Sequence, residues 1–208
     1  LVLGLDEPEI HLHPYMQRNL VRYLKNLLEN KDSEFSSLIK ELFDIDKIDG
    51  QAIIVTHSPN ILLDNYKFVV RFYVKDSKIK IKSGSDIQLS LGVEKHLLKN
   101  LPYIKEAFFS RCVILVEGGT ELGALPLWAI KYGHNLDELG ISVISTDGAD
   151  SIPNVSKLLQ EFEVNNISIV DRDVYSNNKS VFDSIPNLRV TDNSDIDVEI
   201  FEAFVNVN

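Results

Sequence analysis

Short apolar runs alternate with helix-like segments through the second half of the sequence, and this alternation constrains the fold more than any other feature. Apolar runs cover residues 112–116, 141–145, 167–170 and, more weakly, 188–191. Segments with helical spacing lie between or after them, at 120–132, 153–163 and 196–205. Strands that alternate with helices along a chain form parallel sheets with helical crossovers. The sequence therefore predicts an α/β fold built on a parallel sheet with flanking helices.

The first half of the sequence is less regular, but it contains two further runs typical of buried strands, at 1–5 and 52–55. Pro14 is suited to a helix start, and apolar positions recur at helical spacing after it. The remaining patterns predict a second helix at 34–43 and two strands, 68–74 and 78–82, around a turn at Asp76-Ser77.

The stretch Ser83-Gly84-Ser85-Asp86 is the best candidate for a linker between two domains. A helical connector is expected after it, to about residue 110, with an interruption at Pro102. We therefore expect a first domain at 1–84, a connector at 85–110 and a second domain at 111–208. Because residue 1 is not Met and lies inside a predicted strand, we also expect the sequence to be a fragment.

Composition and charge limit the class of protein. The 44% of apolar and 25% of charged residues are ordinary for a globular chain, and no apolar run is long enough for a membrane span. The single cysteine excludes a disulfide framework and indicates a reducing, cytoplasmic setting. The net charge of −10 lies wholly after residue 100, where 17 acidic residues accompany 7 basic ones. A uniformly acidic protein binds nucleic acid poorly, but a local acidic excess also marks a cluster of metal ligands.

Two strand ends in the first half carry residues suited to nucleotide hydrolysis. Asp6 and Glu7 follow one apolar strand, and His57 follows the next. This is the Walker B arrangement, in which the first carboxylate binds Mg²⁺ on a nucleotide, the second polarises the attacking water, and the histidine contacts the γ-phosphate. The alternative interpretation is that Asp6 caps the next segment and His57 is a polar residue with ordinary partners.

Carboxylates follow three strands in the second half. Glu117 ends the first, with Glu121 one helical turn further on, Asp147 follows the second, and Asp171 and Asp173 follow the third. Parallel strands bring these ends to one edge of a sheet, where several carboxylates repel one another unless cations lie between them. Hard oxygen-preferring ions such as Mg²⁺ or Mn²⁺ fit such a site, and two of them about 4 Å apart stabilise a phosphodiester displacement. Asp150 is instead expected to cap a helix.

The motifs of the first half resemble those of ABC-type ATPases of the SMC-like branch. The resemblance rests on Leu3 to Pro14, which reads LGLDEPEIHLHP, and on Ile53 to Pro59, which reads IIVTHSP. It implies that Asp-Glu-Pro-Glu is Walker B, that His-Leu-His-Pro is the D-loop and that His57 is the switch histidine. The sequence contains no phosphate-binding loop of the G-x-x-x-x-G-K-[ST] type, so we expect these residues alone neither to bind nor to hydrolyse ATP.

The second half resembles a Toprim domain, because a Glu follows its first strand and Asp-x-Asp follows its third. Together with EAFFSR at 106–111 and the ATPase-like segment before it, the chain resembles the OLD (overcoming lysogenization defect) family, which includes the nuclease of the Gabija anti-phage system. The implied fold is a Rossmann-like Toprim sheet with flanking helices, preceded by the C-terminal part of an ABC/SMC-like ATPase domain. The implied activity is ATP-regulated, metal-dependent cleavage or nicking of DNA in anti-phage defence.

The resemblance also implies a set of catalytic and metal-binding residues. The core ligands of two Mg²⁺ or Mn²⁺ ions would be Glu117, Glu121, Asp171 and Asp173, and plausible additional ligands are Asp147, Asp197 and Glu199. The family also uses a basic residue beyond the last acidic motif. No Lys or Arg follows Arg189 in this sequence, so either that residue lies elsewhere or Arg172 takes its place.

Expected partners are DNA, further copies of the chain in a dimer or tetramer, and a helicase-like protein of the same system; no membrane is expected. The rival interpretation is an SMC-like ATPase whose Toprim module only binds DNA or a partner. The stripe Lys78, Lys80 and Lys82 either contacts DNA backbone or protects an edge strand, and the sequence favours the edge strand.

Overall fold

The computed structural model describes residues 1–193 and Ile196, apart from the side chains of a few residues between 92 and 103. Contacts divide the chain into two compact units, Leu1–Leu63 and a second that begins at Asp64. The closing helix predicted at 196–205 lies outside the described residues except for Ile196. No helix in the described part of the chain is both long and apolar enough to cross a membrane.

The first unit is a pair of parallel strands with two helices between them in sequence. Its elements are β1 (Val2–Asp6), α1 (Pro14–Leu28), α2 (Ser33–Phe43) and β2 (Gln51–Val55). The two strands pair in register from Val2 opposite Gln51 to Asp6 opposite Val55. Their carboxyl ends therefore lie side by side, and the loops that carry Glu7 and His57 start at neighbouring points.

Local sequence explains where α1 begins. Pro14 is the first helical residue, where its fixed φ and missing N–H carry no cost. His13 caps the helix because its Nδ1 accepts a hydrogen bond from the Tyr15 amide at 3.3 Å. The buried side of the helix includes Gln17 and Val21.

The second unit contains a hairpin followed by the predicted alternation of strands and helices. The hairpin and the connector are β3 (Val70–Lys75), β4 (Lys78–Ser83) and α3 (Leu91–Ile104). The remaining elements are β5 (Cys112–Val116), α4 (Gly119–Lys131), α5 (Leu136–Leu139), β6 (Ile141–Ser145), α6 (Ile152–Glu161), β7 (Asn165–Val170), α7 (Arg172–Asn177), α8 (Lys179–Phe182) and β8 (Leu188–Val190).

Within the described residues, β6, β5, β7 and β8 form a parallel sheet in that order. This confirms the predicted α/β class and parallel sheet. The connection from β5 runs to β6 on one side, whereas the connection from β7 runs to β8 on the other. The carboxyl ends of β5 and β7 therefore flank a point at which the chain changes direction, and open parallel sheets bind ligands in the crevice at such a point.

Helix α6 supplies much of the core of the second unit. Ile152, Val155, Leu158 and Leu159 on this helix are fully buried, as are Val113 and Leu115 on β5 and Leu97 and Leu101 on α3. The rings of Phe108 and Phe162 meet edge to face, with centroids 4.9 Å apart. This packing fixes the central strand β5 and, with it, the strand end that carries Glu117.

The β3–β4 hairpin has one basic and one apolar face. Its register places Arg71 opposite Lys82, and Lys75 opposite Lys78, so the basic residues share a face. The other face carries Phe72 and Ile81, which are exposed. Among the described residues β4 pairs with β3 alone, which confirms that the lysine stripe lies on an edge strand.

The structure corrects two sequence predictions outside the strand ends. Helix α3 is not interrupted at Pro102 and continues to Ile104, so the missing amide of Pro102 removes one helical hydrogen bond without ending the helix there. Asp150 does not cap α6. A short 3₁₀ turn, Ala149–Ser151, precedes this helix, and Ser151 is the residue at its N-cap position.

Candidate metal and nucleotide sites

Glu117 lies where the ends of β5 and β7 meet. It directly follows β5, and its Oε1 accepts a hydrogen bond from the Asp171 amide, at 2.9 Å, directly after β7. The apolar residues of both strands are held in the core, so the first polar residue after each strand emerges at the same edge. The structure therefore brings two of the predicted metal ligands together in the crevice between β5 and β7.

The backbone of Glu117 also binds the loop after β6. Its carbonyl oxygen accepts hydrogen bonds from the Gly148 amide at 2.8 Å and from the Ser145 hydroxyl at 3.4 Å. Asp147 lies between these two residues with φ of 55°, a left-handed conformation that Asp tolerates better than most residues. Its side chain is exposed. Three strand ends thus converge on Glu117, and Asp147 lies on the third.

Glu121 is the buried member of the predicted set. It lies in the first turn of α4, and the residue is only 4% exposed. Its Oε2 lies 3.5 Å from the point where a Cβ on Gly118 would stand, so the carboxylate folds back over the loop after β5. The buried side-chain oxygens that lack a hydrogen-bond partner in the described part of the chain belong to Glu9 and Ser168, so the Glu121 carboxylate is not one of them. Holding a carboxylate with so little exposure to water is nevertheless costly, and a bound cation would offset that cost.

Asp171 and Asp173 differ in their surroundings. Asp171 precedes α7, and its Oδ1 accepts a hydrogen bond from the Ile196 amide at 3.1 Å. Asp173 is exposed, and its Oδ1 accepts a hydrogen bond from the adjacent Val174 amide at 2.6 Å. One carboxylate oxygen in each of Glu117, Asp171 and Asp173 therefore already accepts a hydrogen bond from a backbone amide.

The described carboxylates do not form a closed metal site. No group of three or more His, Cys, Asp or Glu side chains among the described residues is close enough to hold an ion. Nevertheless, the residues present suit a hard divalent ion, because they are oxygen donors around a crevice and one of them, Glu121, is almost fully buried. The remaining predicted ligands, Asp197 and Glu199, lie outside the described residues.

Arg172 binds the residues that directly follow β8. Its Nε donates a hydrogen bond to the Asp192 carbonyl oxygen at 2.9 Å, and its Nη2 lies 3.6 Å from Asp192 Oδ1. Its backbone amide donates to the Thr191 hydroxyl at 3.0 Å. This arrangement holds the guanidinium at the neighbouring strand end, so a role in charge stabilisation would require it to exchange partners.

The predicted nucleotide residues lie at the paired ends of β1 and β2. The Glu7 amide donates to the Val55 carbonyl oxygen at 2.8 Å, and Glu7 has φ of 45°. Its Oε1 lies 3.4 Å from His57 Nε2, and the His57 side chain is 80% exposed. Asp6 is exposed at the end of β1. The structure therefore brings Glu7 and His57 together, with Asp6 directly before Glu7.

The contact between Glu9 and the loop after β2 was not predicted from the sequence. Its Oε1 accepts hydrogen bonds from the Thr56 hydroxyl at 2.6 Å and from the His57 amide at 2.9 Å. Burial raises the pKa of the Glu9 carboxyl, but these hydrogen bonds and the proximity of His57 outweigh it and leave the pKa below its ordinary value. The only available signal was the second acidic residue in Asp-Glu-Pro-Glu, which says nothing about its partner.

Both units match known protein families. Residues 108–173 match the TOPRIM domain of overcoming lysogenization defect protein-like proteins, and residues 1–62 match an AAA ATPase domain. The first range contains the five described carboxylates at the ends of β5, β6 and β7, and the second contains Asp6, Glu7 and His57.

Two curated relatives resemble most of the chain. Endonuclease GajA of Bacillus cereus strain HuB5-5 is 30% identical over 192 residues, which cover 83% of this chain and 26% of GajA. The Old nuclease of Escherichia phage P2 is 27% identical over 186 residues, which cover 85% of this chain and 28% of that nuclease. The chain thus spans 26% and 28% of the lengths of these relatives.

Among solved structures, the C-terminal region of the Xanthomonas campestris pv. campestris OLD protein is similar to part of the chain. The match has 34% sequence identity and a TM-score of 0.35, and it covers 49% of each chain.

Proposed function

This chain belongs to the OLD (overcoming lysogenization defect) family of ATPase–Toprim proteins, and we propose from this that it forms part of a metal-dependent DNA endonuclease. The observation that carries the proposal is the meeting of Glu117 and Asp171 at the crevice between β5 and β7, beside the buried Glu121. Phosphodiester cleavage needs groups that hold cations against phosphate oxygens, and this crevice presents the donors for them.

Glu117, Glu121, Asp171 and Asp173 would hold two Mg²⁺ or Mn²⁺ ions, with Asp147, Asp197 and Glu199 as additional ligands. The ions would stabilise the attacking and leaving oxygens of the phosphodiester. The contacts of Glu117 support this assignment, because its backbone binds the loop after β6 while its side chain binds the backbone after β7. Metal binding would then exchange these amide contacts for contacts to the ions.

Plasmid nicking by the whole natural chain tests this proposal. We expect nicking in Mg²⁺ or Mn²⁺, and a loss of about 100-fold or more for Glu117→Gln and for Asp171→Asn, because bound metal contributes several kcal/mol of charge stabilisation. Glu138→Gln, an exposed substitution on α5, is the matched control and should nick like the natural chain. Undiminished nicking by both site variants would contradict the proposal.

A second candidate function is an ATPase whose Toprim module binds DNA or a partner without cutting it. It is favoured by the lack of a ready-made group of three ligands among the described residues, and by the amide contacts that Glu117, Asp171 and Asp173 already make. Calorimetric titration with Mn²⁺ separates the two functions: binding that is lost in Glu117→Gln supports the nuclease, and no binding supports the rival.

The first unit would regulate cleavage through ATP. Asp6 would bind Mg²⁺ on the nucleotide, Glu7 would polarise the attacking water and His57 would contact the γ-phosphate. The pairing of β1 with β2 supports this assignment, because it sets Glu7 and His57 side by side. The proposed setting is a cytoplasmic anti-phage system in which the protein acts on DNA as a dimer or tetramer with a helicase-like partner.

A further inference from the structure

Glu9 joins the two loops that carry the nucleotide residues. Glu7, with its left-handed backbone, turns the chain after β1, and the Ile10 amide closes the turn on the Glu7 carbonyl oxygen at 3.1 Å. This turn directs the Glu9 side chain to the loop after β2, where it accepts hydrogen bonds from Thr56 and from the His57 backbone. One carboxylate therefore fixes the backbone of His57.

The contact fixes the His57 backbone without engaging its ring. The His57 side chain is 80% exposed, whereas Glu9 is partly buried beneath it. The Thr56 hydroxyl that donates to Glu9 also accepts a hydrogen bond from the Ser58 amide at 3.0 Å, so the residues on both sides of His57 are held. The ring lies 3.4 Å from Glu7 Oε1 through its Nε2 but remains largely exposed, so a histidine on a fixed backbone is arranged here to present its ring to a ligand.

The second oxygen of Glu9 adds a cost to this arrangement. Glu9 Oε2 is buried and has no hydrogen-bond partner among the described residues. A buried acceptor left without a donor costs free energy, so packing alone does not account for the position of this carboxylate.

We propose that Glu9 is a positioning residue for His57 in ATP hydrolysis. This inference rests on the proposed ATPase function of the first unit. Glu9 touches neither nucleotide nor water in the reaction; it sets the place from which His57 reaches the γ-phosphate. Its effect on turnover must therefore pass through His57.

A double-mutant cycle in the whole natural chain tests this inference. Because a hydrogen bond to a charged group contributes about 1.5–3 kcal/mol, Glu9→Ala should lower kcat for ATP by about tenfold or more, with KM changed by less than about twofold. Glu9→Gln should recover most of the loss, because its amide oxygen can accept both hydrogen bonds. On a His57→Ala background, Glu9→Ala should cost less than about twofold further, since coupled residues are non-additive.

Glu41→Ala, an exposed substitution on α2, is the control and should leave kcat unchanged. If Glu9→Ala does not fold, as judged by thermal unfolding, Thr56→Val replaces it in the same cycle because it removes one of the two donors. If the kcat losses of Glu9→Ala and His57→Ala multiply in the double variant, or if Glu9→Ala leaves kcat unchanged, this inference is overturned but the proposed ATPase function is not. A natural chain that shows no ATP turnover overturns the proposed ATPase function, and this inference with it.

Discussion

At the scale of single residues, Glu121 sets function against stability. Its carboxylate lies beside the loop after β5, and the residue is only 4% exposed. Most buried carboxylates in stable proteins are paired, because an ionised group that loses its water must regain the solvation energy elsewhere. A cation bound at the proposed site would supply such a partner to Glu121.

We expect Glu121→Gln to stabilise the metal-free protein by about 1–2 kcal/mol. The neutral glutamine amide has nearly the same shape as the carboxylate and costs less free energy to bury. The same variant should lose most of the stabilisation that saturating Mn²⁺ confers on the natural chain. Urea unfolding with and without Mn²⁺ measures both effects.

Glu138→Gln serves as the control for this experiment, since Glu138 is exposed and precedes the amino end of β6, whereas the crevice lies at the carboxyl ends of the strands. A Glu121→Gln protein that is less stable than the natural chain in the absence of metal would show that the carboxylate has a partner in solution.

At the scale of elements, Arg71 connects the β3–β4 hairpin to the carboxyl end of α6. Its Nη1 donates to the carbonyl oxygens of Phe162 and Glu163, at 2.9 and 3.0 Å, and its Nε donates to the Phe108 carbonyl oxygen at 3.3 Å. A cation is favourable at the end of a helix, where carbonyl groups lack helical partners. Burial lowers the pKa of the Arg71 guanidinium, but arginine remains charged at neutral pH.

Arg71→Ala should therefore destabilise the second unit by about 2–4 kcal/mol, because three carbonyl groups lose a charged donor. Lys75→Ala is the matched control on the same strand. Its exposed ion pair with Glu163 should be worth less than about 1 kcal/mol. Urea unfolding checks both values, and equal effects of the two variants would contradict the proposed importance of Arg71.

The elements themselves were largely predictable from sequence, whereas Arg71 was not. The strands β5 and β6 have the predicted bounds because their apolar runs are short and end at residues that must leave the core. The partners of Arg71 are backbone carbonyl groups up to 92 residues away, and no residue type marks such an acceptor. The burial of Glu121 escaped prediction for a related reason, since spacing places it on α4 but does not reveal what covers it.

At the scale of the whole molecule, the hairpin lies in the same compact unit as the parallel sheet. The second unit begins at Asp64, whereas the sequence pattern alone places the domain boundary at residue 84. Gly84 is not part of an open linker: it is buried, and a Cβ there would overlap the Tyr66 carbonyl group. Tyr66 is itself 1% exposed and donates to Glu94 Oε1 at 3.0 Å.

We therefore expect a fragment that begins at Asp64 to be more stable than one that begins at Ser85. The shorter fragment lacks both Tyr66 and Arg71, so the difference should be at least about 3 kcal/mol from the lost hydrogen bonds and buried apolar surface. Urea unfolding of the two fragments measures the difference. Equal stability would support a boundary at residue 84.

The order of strands in the sheet also bears on how such a protein can diversify. Because the chain leaves β5 in one direction and β7 in the other, the segments that follow Glu117 and Asp171 do not compete for the same space. Either segment can acquire an insertion during evolution without displacing the other strand end. New surfaces can thus be added around an unchanged pair of acidic residues.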